Sequence, residues 1–479
     1  MRIRYWAIAL LTLLAFARGV WALGDKSLWW DESLSLHRSQ ETLFYALSGQ
    51  ITLTDNVDDV VTIDNHPPLY FVLLWVVTRL LGQSEFALRY LSLAAVVLLV
   101  PLLYTTGKRL VDGWAGLGAA VLGALSPMYL WYGQEARMYA LVAFLSLLSF
   151  YSFLRAFFGS SSTSRAQYHS GWIAVYAVTS ACLVATHYLG VFLIAFQLVT
   201  LGVLTLRQAG SRRRLLPIIA ALAAVLALFV ISGWLNRPQA RSSSLSLPIL
   251  LRDLLNSFSL GLSVDVGDWY VFVIDLVFLL FLLLGLVWLV RPSTPPRSRT
   301  AGRLLAGYLF VPIVITYVLS FVQVVYMTSR HLIFITPAFY LLVGIGLTRW
   351  RGHRAWISVA VALLMLGGVL YSTYNYFYSP DYDKDRHREW GAFLRQQVRP
   401  GDVVVVNPPH IADLYDYYAS NDVPWIGLPL LGDAQQHTEA KLEELLKQYD
   451  RVWLAHSRTP AWGDQRQVPR NWLNQNAFR

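Results

Sequence analysis

The chain has little charge and a single cysteine. Only 14% of its 479 residues are charged, whereas soluble domains carry about 25% charged residues. Because 56% of the residues are hydrophobic, the composition excludes an ordinary soluble protein and predicts an integral membrane protein. The lone cysteine, Cys182, excludes an intrachain disulfide.

Positive charge exceeds negative charge, giving a net charge of +10. On a soluble protein this excess would suggest a nucleic-acid partner. Here the Lys and Arg residues cluster in short loops between apolar segments, which is typical of the cytoplasmic loops of membrane proteins. We therefore predict no nucleic-acid partner, and we use the basic loops to orient the chain in the bilayer.

Apolar segments of about 20 residues, enough to cross a bilayer as a helix, recur along the chain. We predict about 11 spans, at 4–24, 88–107, 114–130, 138–158, 171–187, 189–206, 215–235, 269–290, 303–323, 331–348 and 355–374. The first segment could instead be a signal peptide, but no convincing small-residue cleavage site follows it. Both alternatives place the next loop on the outer side.

The segment 67–82 is apolar but short, begins with two prolines and contains Arg79. If it crossed the membrane, Lys108 and Arg109 would lie outside. If it lies in the interface, they and every later basic loop lie inside, as the positive-inside rule requires. We therefore predict a juxtamembrane helix on the outer surface.

Two domains are expected. Residues 1–374 form the transmembrane domain, in which 25–87 are the first outer loop with its juxtamembrane helices. Residues 375–479 also lie outside and contain strand patterns at 403–406 and 452–455, each combined with helix patterns. Two such repeats predict a small α/β domain.

Two adjacent acids, Asp31 and Glu32, follow the first span and a pair of tryptophans. Acids near the membrane are costly and usually functional, and neighbouring carboxylates can hold one proton near neutral pH because they repel each other. The pair predicts a general base or an acceptor-binding site. The alternative is an ordinary solvated pair in a loop.

A second acid, Glu135, precedes the fourth span on the same outer side. Glu135 and Arg137 form either a simple surface pair, which contributes little energy, or the second half of a carboxylate site that Asp31 completes. Tyr139 is expected one helical turn after Glu135, on the same face of a helix.

Three further motifs supply basic groups on this side: His66 before two prolines, His187 in a tight turn, and Arg330 at the start of the tenth span. A guanidinium fork matches two phosphate oxygens, and an imidazole near a helix N-terminus can help to bind phosphate. The alternatives are interfacial side chains and a helix cap.

Acids, Arg and His on one face suit a lipid phosphate and a nucleophilic acceptor. A secondary transporter would place its charges at mid-membrane, where the only acid is Asp275, to which we assign no role.

These motifs, in this order and spacing, resemble the bacterial dolichyl-phosphate-mannose–protein mannosyltransferase-like family of GT-C glycosyltransferases. The aminoarabinose transferase acting on lipid A and the protein O-mannosyltransferases are relatives. The resemblance covers roughly residues 1–350. It is carried by Trp30-Asp31-Glu32, Asn65-His66-Pro67-Pro68-Leu69-Tyr70, Ala87-Leu88-Arg89, Ser126-Pro127, Tyr132-Gly133-Gln134-Glu135-Ala136-Arg137-Met138-Tyr139, Thr186-His187-Tyr188 and Ser329-Arg330-His331.

The resemblance implies a GT-C fold and a transferase that uses polyprenyl-phosphate sugars. It aligns the essential acid with Asp31 and the second acid with Glu135, and it places His66 where the aminoarabinose branch has a phosphate-binding Lys. It implies no required cofactor and leaves a divalent cation open; we predict no metal ligands. The β-trefoil domain of eukaryotic protein mannosyltransferases has no room in this chain, which weakens a specific assignment to protein mannosylation.

Our hypothesis is an inverting glycosyltransferase at the outer face of a bacterial cytoplasmic membrane. It moves a monosaccharide, of unidentified type, from a polyprenyl-phosphate donor to a hydroxyl of a glycan, lipid or protein. The expected catalytic residues are Asp31, Glu32 and Glu135; the donor-phosphate ligands are Arg330, His66 and His187; and the other substrate-binding residues are Arg137, Tyr139, Tyr188 and His331. The alternatives are a polymer transferase similar to O-antigen ligase and a flippase or transporter of lipid-linked sugars.

Overall fold

A computed structural model describes residues 2–158, 170–207, 219–220, 223, 246–321, 328–349, 355–419, 424–430, 437–457 and 467–477. The chain forms two compact units. The membrane unit comprises Met1–Leu23, Asn65–Tyr70 and Arg89–Asp383, and the tail unit comprises Gly24–Asp64, Phe71–Leu88 and Lys384–Arg479.

Helices make up most of the described chain. In order, they are α1 (Arg2–Val20), α2 (Trp30–Gln40), α3 (Leu43–Ser48), α4 (Leu69–Leu81), α5 (Glu85–Leu110), α6 (Gly113–Leu125), α7 (Pro127–Gly133), α8 (Tyr139–Phe157), α9 (Ser170–Thr186), α10 (Gly190–Arg207), α11 (Leu247–Ser259), α12 (Trp269–Val290), α13 (Pro296–Leu319), α14 (Thr336–Thr348), α15 (Ala355–Tyr378), α16 (His387–Gln397), α17 (Ala412–Ala419), α18 (Thr438–Gln448) and α19 (Val468–Asn476). A 3₁₀ helix, Ser329–Ile335, leads directly into α14.

Seven helical segments among the described residues are long and apolar enough to cross a membrane: Ile3–Val20, Glu85–Leu110, Tyr139–Phe157, Trp269–Val290, Pro296–Leu319, Ser329–Thr348 and Val359–Tyr378. The pair α6–α7, bent by 52°, is an eighth if it forms one span. The predicted spans 171–187 and 189–206 are shorter apolar helices, and 215–235 lies outside the described residues except for 219, 220 and 223. The protein is therefore a multi-pass membrane protein, as its composition predicts. The segment 67–82 is helical as predicted, and its place in the interface stays a prediction.

The bend between α6 and α7 lies at Ser126-Pro127. The Ser126 hydroxyl accepts a hydrogen bond from the Tyr129 amide at 3.0 Å and lies 2.6 Å from the Tyr340 hydroxyl. Pro127 occupies the start of α7, where its missing N–H costs nothing. The Ser-Pro motif thus ends one helix and begins the next, which sets the direction of the turn that follows α7.

Small residues allow the membrane helices to approach closely. Gly344 of α14 lies so near α6 that an added Cβ would stand 2.6 Å from the Ala119 nitrogen. Such contacts are common where membrane helices associate without a hydrophobic driving force.

A three-stranded parallel sheet forms the core of the tail unit, with the order β4 (Trp425–Gly427), β3 (Asp402–Asn407) and β5 (Arg451–His456). The central strand is buried along its whole length, as a run of valines between two neighbours requires. The predicted small α/β domain is confirmed. Its short strand β4 was not predicted, because three residues are too few to show the hydrophobic periodicity of a strand.

The first outer loop packs against this sheet rather than forming a separate element. It contains an antiparallel hairpin of β1 (Gln50–Thr54) and β2 (Asp59–Ile63), which was not predicted. The Gly427 amide donates to the Asp55 carbonyl at 2.8 Å, and the Asn56 side chain donates to the Trp425 carbonyl at 2.6 Å. The predicted boundary at 374 places the whole loop in the transmembrane domain, whereas the contacts group Gly24–Asp64 and Phe71–Leu88 with the tail unit and Asn65–Tyr70 with the membrane unit.

Asp402, buried at the start of β3, provides a test of the tail fold. It accepts hydrogen bonds from the Arg451 guanidinium at 2.7 Å, the Arg399 amide at 2.8 Å and the Trp453 indole at 3.0 Å. Asp402→Ala should destabilise the tail by about 1.5–3 kcal/mol, because three donors lose a charged acceptor. Hydrogen exchange of the β3 and β5 amides measures this loss. The control Glu444→Ala, at an exposed surface pair, should leave exchange unchanged.

Candidate functional site

The acidic pair lies in the first turn of α2, which we call the acidic helix (Trp30–Gln40). The N-terminus of a helix favours negative charge. Glu32 is fully buried, and its Oε2 lies 2.9 Å from Lys384 Nζ. Asp31 is half-buried. The interpretation of both acids as solvated loop residues is therefore wrong for Glu32, and the two carboxylates occupy different environments.

The acidic helix also presents Trp30 and His37 to the tail. The rings of Trp30 and His410 lie 4.8 Å apart, and His37 Nδ1 lies 2.9 Å from Asp413 Oδ1. Burial lowers the pKa of His37, but the hydrogen bond to Asp413 and its charge outweigh burial, so the pKa is raised. Burial lowers the pKa of His410 to about 4, so this ring is neutral at pH 7.

In the membrane unit, a second group of predicted residues surrounds the buried ring of Tyr139 at the start of α8. The rings of His187 and His331 each lie 6.1 Å from it and 6.1 Å from each other. The guanidinium carbon of Arg330 lies 5.7 Å from the same ring. We call His187, Arg330 and His331 the basic cluster.

Backbone amides orient both imidazoles of the basic cluster. The Leu189 amide donates to His187 Nδ1 at 3.2 Å, and the Thr328 amide donates to His331 Nδ1 at 3.2 Å. Because Nδ1 accepts in each case, the neutral ring carries its proton on Nε2. Each imidazole therefore has a donor at Nε2, the polarity that an anionic oxygen requires.

Glu135 and Arg137 lie in the turn between α7 and α8, and both are buried. Gln134 holds this turn: its amide nitrogen donates to the Gly19 carbonyl at 2.9 Å, and its oxygen accepts from the Tyr376 hydroxyl at 3.0 Å. The alternative of a simple surface pair is wrong, because neither side chain reaches the surface. That Glu135 completes the site of Asp31 stays a prediction.

The remaining predicted residues of this unit lie near the basic cluster. His66 is half-buried before α4. It lies close enough to His331 for the charges of the two side chains to interact, and so does Arg137. Glu135 and Arg330 both lie within electrostatic range of Tyr132. Tyr188 is half-buried in the same turn as His187. The fold thus brings together motifs that are separated by up to 265 residues in the sequence.

Sequence reasoning missed Asp253 in α11. Its Oδ2 accepts a hydrogen bond from the Ser329 amide at 2.8 Å, and its Oδ1 lies 3.3 Å from both the Ser329 and Ser257 hydroxyls. These bonds fix the start of the 3₁₀ helix that carries Arg330 and His331. An acid in an amphipathic helix gives no local signal for this role, since its partner lies 76 residues away.

Within the described ranges, no group of three or more His, Cys, Asp or Glu side chains has the arrangement of a metal site. The predicted independence from metal and cofactor stays a prediction.

Known proteins share this architecture. Residues 65–236 match the family model described as dolichyl-phosphate-mannose-protein mannosyltransferase. ArnT from Cupriavidus metallidurans in the apo state superposes with a TM-score of 0.58 at 13% identity, over 93% of this chain and 89% of that chain. The archaeal oligosaccharyltransferase AglB from Archaeoglobus fulgidus, in complex with an inhibitory peptide and a dolichol-phosphate, has a TM-score of 0.52 at 13% identity, over 89% of this chain and 64% of that chain. No curated protein shows significant sequence similarity to the chain.

The protein therefore has the GT-C fold of multi-pass membrane glycosyltransferases. Its resemblance to the dolichyl-phosphate-mannose–protein mannosyltransferase-like family, predicted from the motifs, is confirmed by the match over residues 65–236.

The role of Asp253 in holding the 3₁₀ helix can be measured directly. In Asp253→Asn the Ser329 amide loses a charged acceptor, so exchange of the amides of 328–335 should become faster by roughly tenfold. Hydrogen exchange with mass spectrometry measures this rate. Asp265→Asn, at an exposed turn in the following loop, is the matched control. Unchanged protection in Asp253→Asn would contradict the assignment.

Proposed function

We propose that the protein is an inverting glycosyltransferase that moves a monosaccharide from a polyprenyl-phosphate donor to an acceptor hydroxyl. The match to the mannosyltransferase family model supports sugar transfer. The structure of ArnT from Cupriavidus metallidurans bound to undecaprenyl phosphate has a similar fold, with a TM-score of 0.57. This likeness supports a lipid-linked phosphate as the donor.

The observation that carries the proposal is the basic cluster around Tyr139. One guanidinium and two imidazoles with protons on Nε2 converge there, and the buried acid Glu135 lies in the turn that precedes Tyr139. Positively polarised donors held in a low-dielectric surrounding stabilise negative charge that develops during a reaction. Arg330 and His187, with His66, are the proposed ligands of the donor phosphate. Tyr139, Tyr188, Arg137 and His331 are proposed to line the substrate.

Asp31 is the proposed base. It takes the proton from the acceptor hydroxyl as the acceptor oxygen attacks the anomeric carbon. The bond between this carbon and the phosphate oxygen breaks, and the electron pair leaves with polyprenyl phosphate. Attack opposite the leaving group inverts the anomeric configuration. The leaving phosphate needs no proton, so one base is sufficient.

Glu32 and Glu135 are proposed to support Asp31. The ion pair with Lys384 neutralises Glu32, which allows the neighbouring Asp31 to carry the reactive negative charge with less repulsion.

We also propose that the reaction takes place at the outer face of a bacterial cytoplasmic membrane. The positive-inside pattern of the basic loops supports this orientation, with a glycan, lipid or protein as the acceptor.

The assignment of Asp31 as the base predicts a loss of rate without a loss of folding. Asp31→Asn should lower kcat by about 10²–10⁴-fold, since an amide cannot accept the proton. Purified protein is assayed with undecaprenyl-phosphate mannose, glucose, arabinose and aminoarabinose as donors. The control Asp59→Asn changes an exposed acid of the hairpin and should keep full activity. Full activity of Asp31→Asn would rule out Asp31 as the base.

The assignment of Arg330 to the donor phosphate predicts a binding effect. Arg330→Ala should weaken donor binding by roughly 10- to 100-fold, because hydrogen bonds to a charged group contribute about 1.5–3 kcal/mol. Binding of undecaprenyl phosphate to the detergent-purified protein measures it. Arg470→Ala, at an exposed position of α19, is the matched control. Unchanged affinity would remove Arg330 from the phosphate site.

The same donor panel, extended by a lipid-linked polymer and tested in sealed vesicles, separates the proposal from its alternatives. A transferase labels the acceptor, whereas a flippase moves the labelled lipid across the bilayer without transfer. A polymer transferase accepts a lipid-linked polymer but not the monosaccharide donors. Translocation alone, or transfer of polymer alone, would contradict the proposed function.

A further inference from the structure

Within the tail unit, the C-terminal part that begins at Lys384 holds the acidic helix through several contacts. We propose that Lys384 is a positioning residue that, together with the tail, fixes the acidic helix and thereby orients Asp31 for proton abstraction. This inference rests on the proposed function and deepens it, since it gives the tail a part in the transfer reaction.

The ion pair between Lys384 and Glu32 is shielded from solvent. Nζ and Oε2 lie 2.9 Å apart, and the side chains are 7% and 0% exposed. A buried carboxylate that loses its partner is strongly disfavoured. Loss of the Lys384 ammonium would therefore remove the ion-pair partner of a fully buried carboxylate and disfavour the buried position of Glu32. Since Asp31 precedes Glu32 in the same helical turn, the ion pair also fixes the position of Asp31.

Two further contacts, one at each side of Glu32 along the helix, oppose rotation of the helix about its axis. Trp30 and His37 are seven residues apart and thus lie on one face of the helix. Trp30 packs on the ring of His410, and His37 binds Asp413. These partners are three residues apart in the tail. Rotation of the acidic helix about its axis would break both contacts.

The segment before the helix is fixed as well. The Leu28 amide donates to the Tyr418 hydroxyl at 2.7 Å, and the Arg388 amide donates to the Ser27 hydroxyl at 3.1 Å. The C-terminal part of the tail unit therefore determines where the acidic helix begins, which face it buries and which residue pairs with Glu32.

The variant Lys384→Met of the whole chain tests the proposal. It is assayed with the undecaprenyl-phosphate sugar of the donor panel that gives the fastest transfer. We expect kcat to fall roughly tenfold to hundredfold with donor KM changed less than about twofold, because a small misplacement of a reacting group slows chemistry without weakening remote binding. Lys384→Arg, which keeps the charge, should restore most of the rate. Lys441→Met is the matched control, since Lys441 pairs with Glu444 at the surface.

A double-mutant cycle shows whether Lys384 acts through Glu32. In a Glu32→Gln background, Lys384→Met should cause little further loss of kcat, because the interaction is already absent. This double variant buries no unpaired charge and should fold even if Lys384→Met alone does not. Hydrogen exchange of residues 28–40 should become faster in Lys384→Met, which is a readout independent of activity.

Three results would overturn the inference: full activity of Lys384→Met, an equal loss in both backgrounds, or a raised donor KM with unchanged kcat. The proposed function fails separately. Full activity of Asp31→Asn would contradict the base assignment whatever Lys384 does, whereas an inactive Asp31→Asn with a fully active Lys384→Met would contradict the positioning role alone.

Discussion

A buried carboxylate must have a partner, and in this protein that constraint joins residues 352 positions apart. Glu32 is fully buried, and the Lys384 ammonium at 2.9 Å compensates its charge. The consequence is structural: the outer loop that carries the acids packs with the tail. The hairpin contacts at Asp55 and Asn56 extend the same association to the edge of the parallel sheet.

In the membrane unit, the basic cluster gathers around an aromatic ring. Tyr139 lies among two imidazoles and a guanidinium, which come from the turn after α9 and from the 3₁₀ helix Ser329–Ile335. Backbone amides fix the imidazoles, and Asp253 fixes the 3₁₀ helix that carries Arg330. The positions of these side chains are therefore determined by short polar bonds at helix ends, where loops leave the apolar helices. Function at this site depends on the loops, while the helices provide a rigid frame.

The membrane helices could be predicted because long apolar segments leave a bilayer-spanning chain no alternative to a helix. The strand at 402–407 could be predicted because four consecutive valines favour a buried strand. The hairpin, the strand Trp425–Gly427 and the helical state of Asp31 could not be predicted. In each, the local pattern is short or polar, and partners distant in sequence stabilise the structure.

The sequence by itself determined that this is a polytopic membrane protein, and its motifs identified Asp31, Glu135, His187 and Arg330 as the polar residues of interest. Composition and motif order need no three-dimensional information, since they reflect the cost of polar groups near a bilayer. Only the tertiary structure decided that Glu32 is paired and Asp31 half-exposed, and that Asp253 supports Arg330. These distinctions arise from contacts between segments far apart in the chain, and no local pattern encodes such contacts.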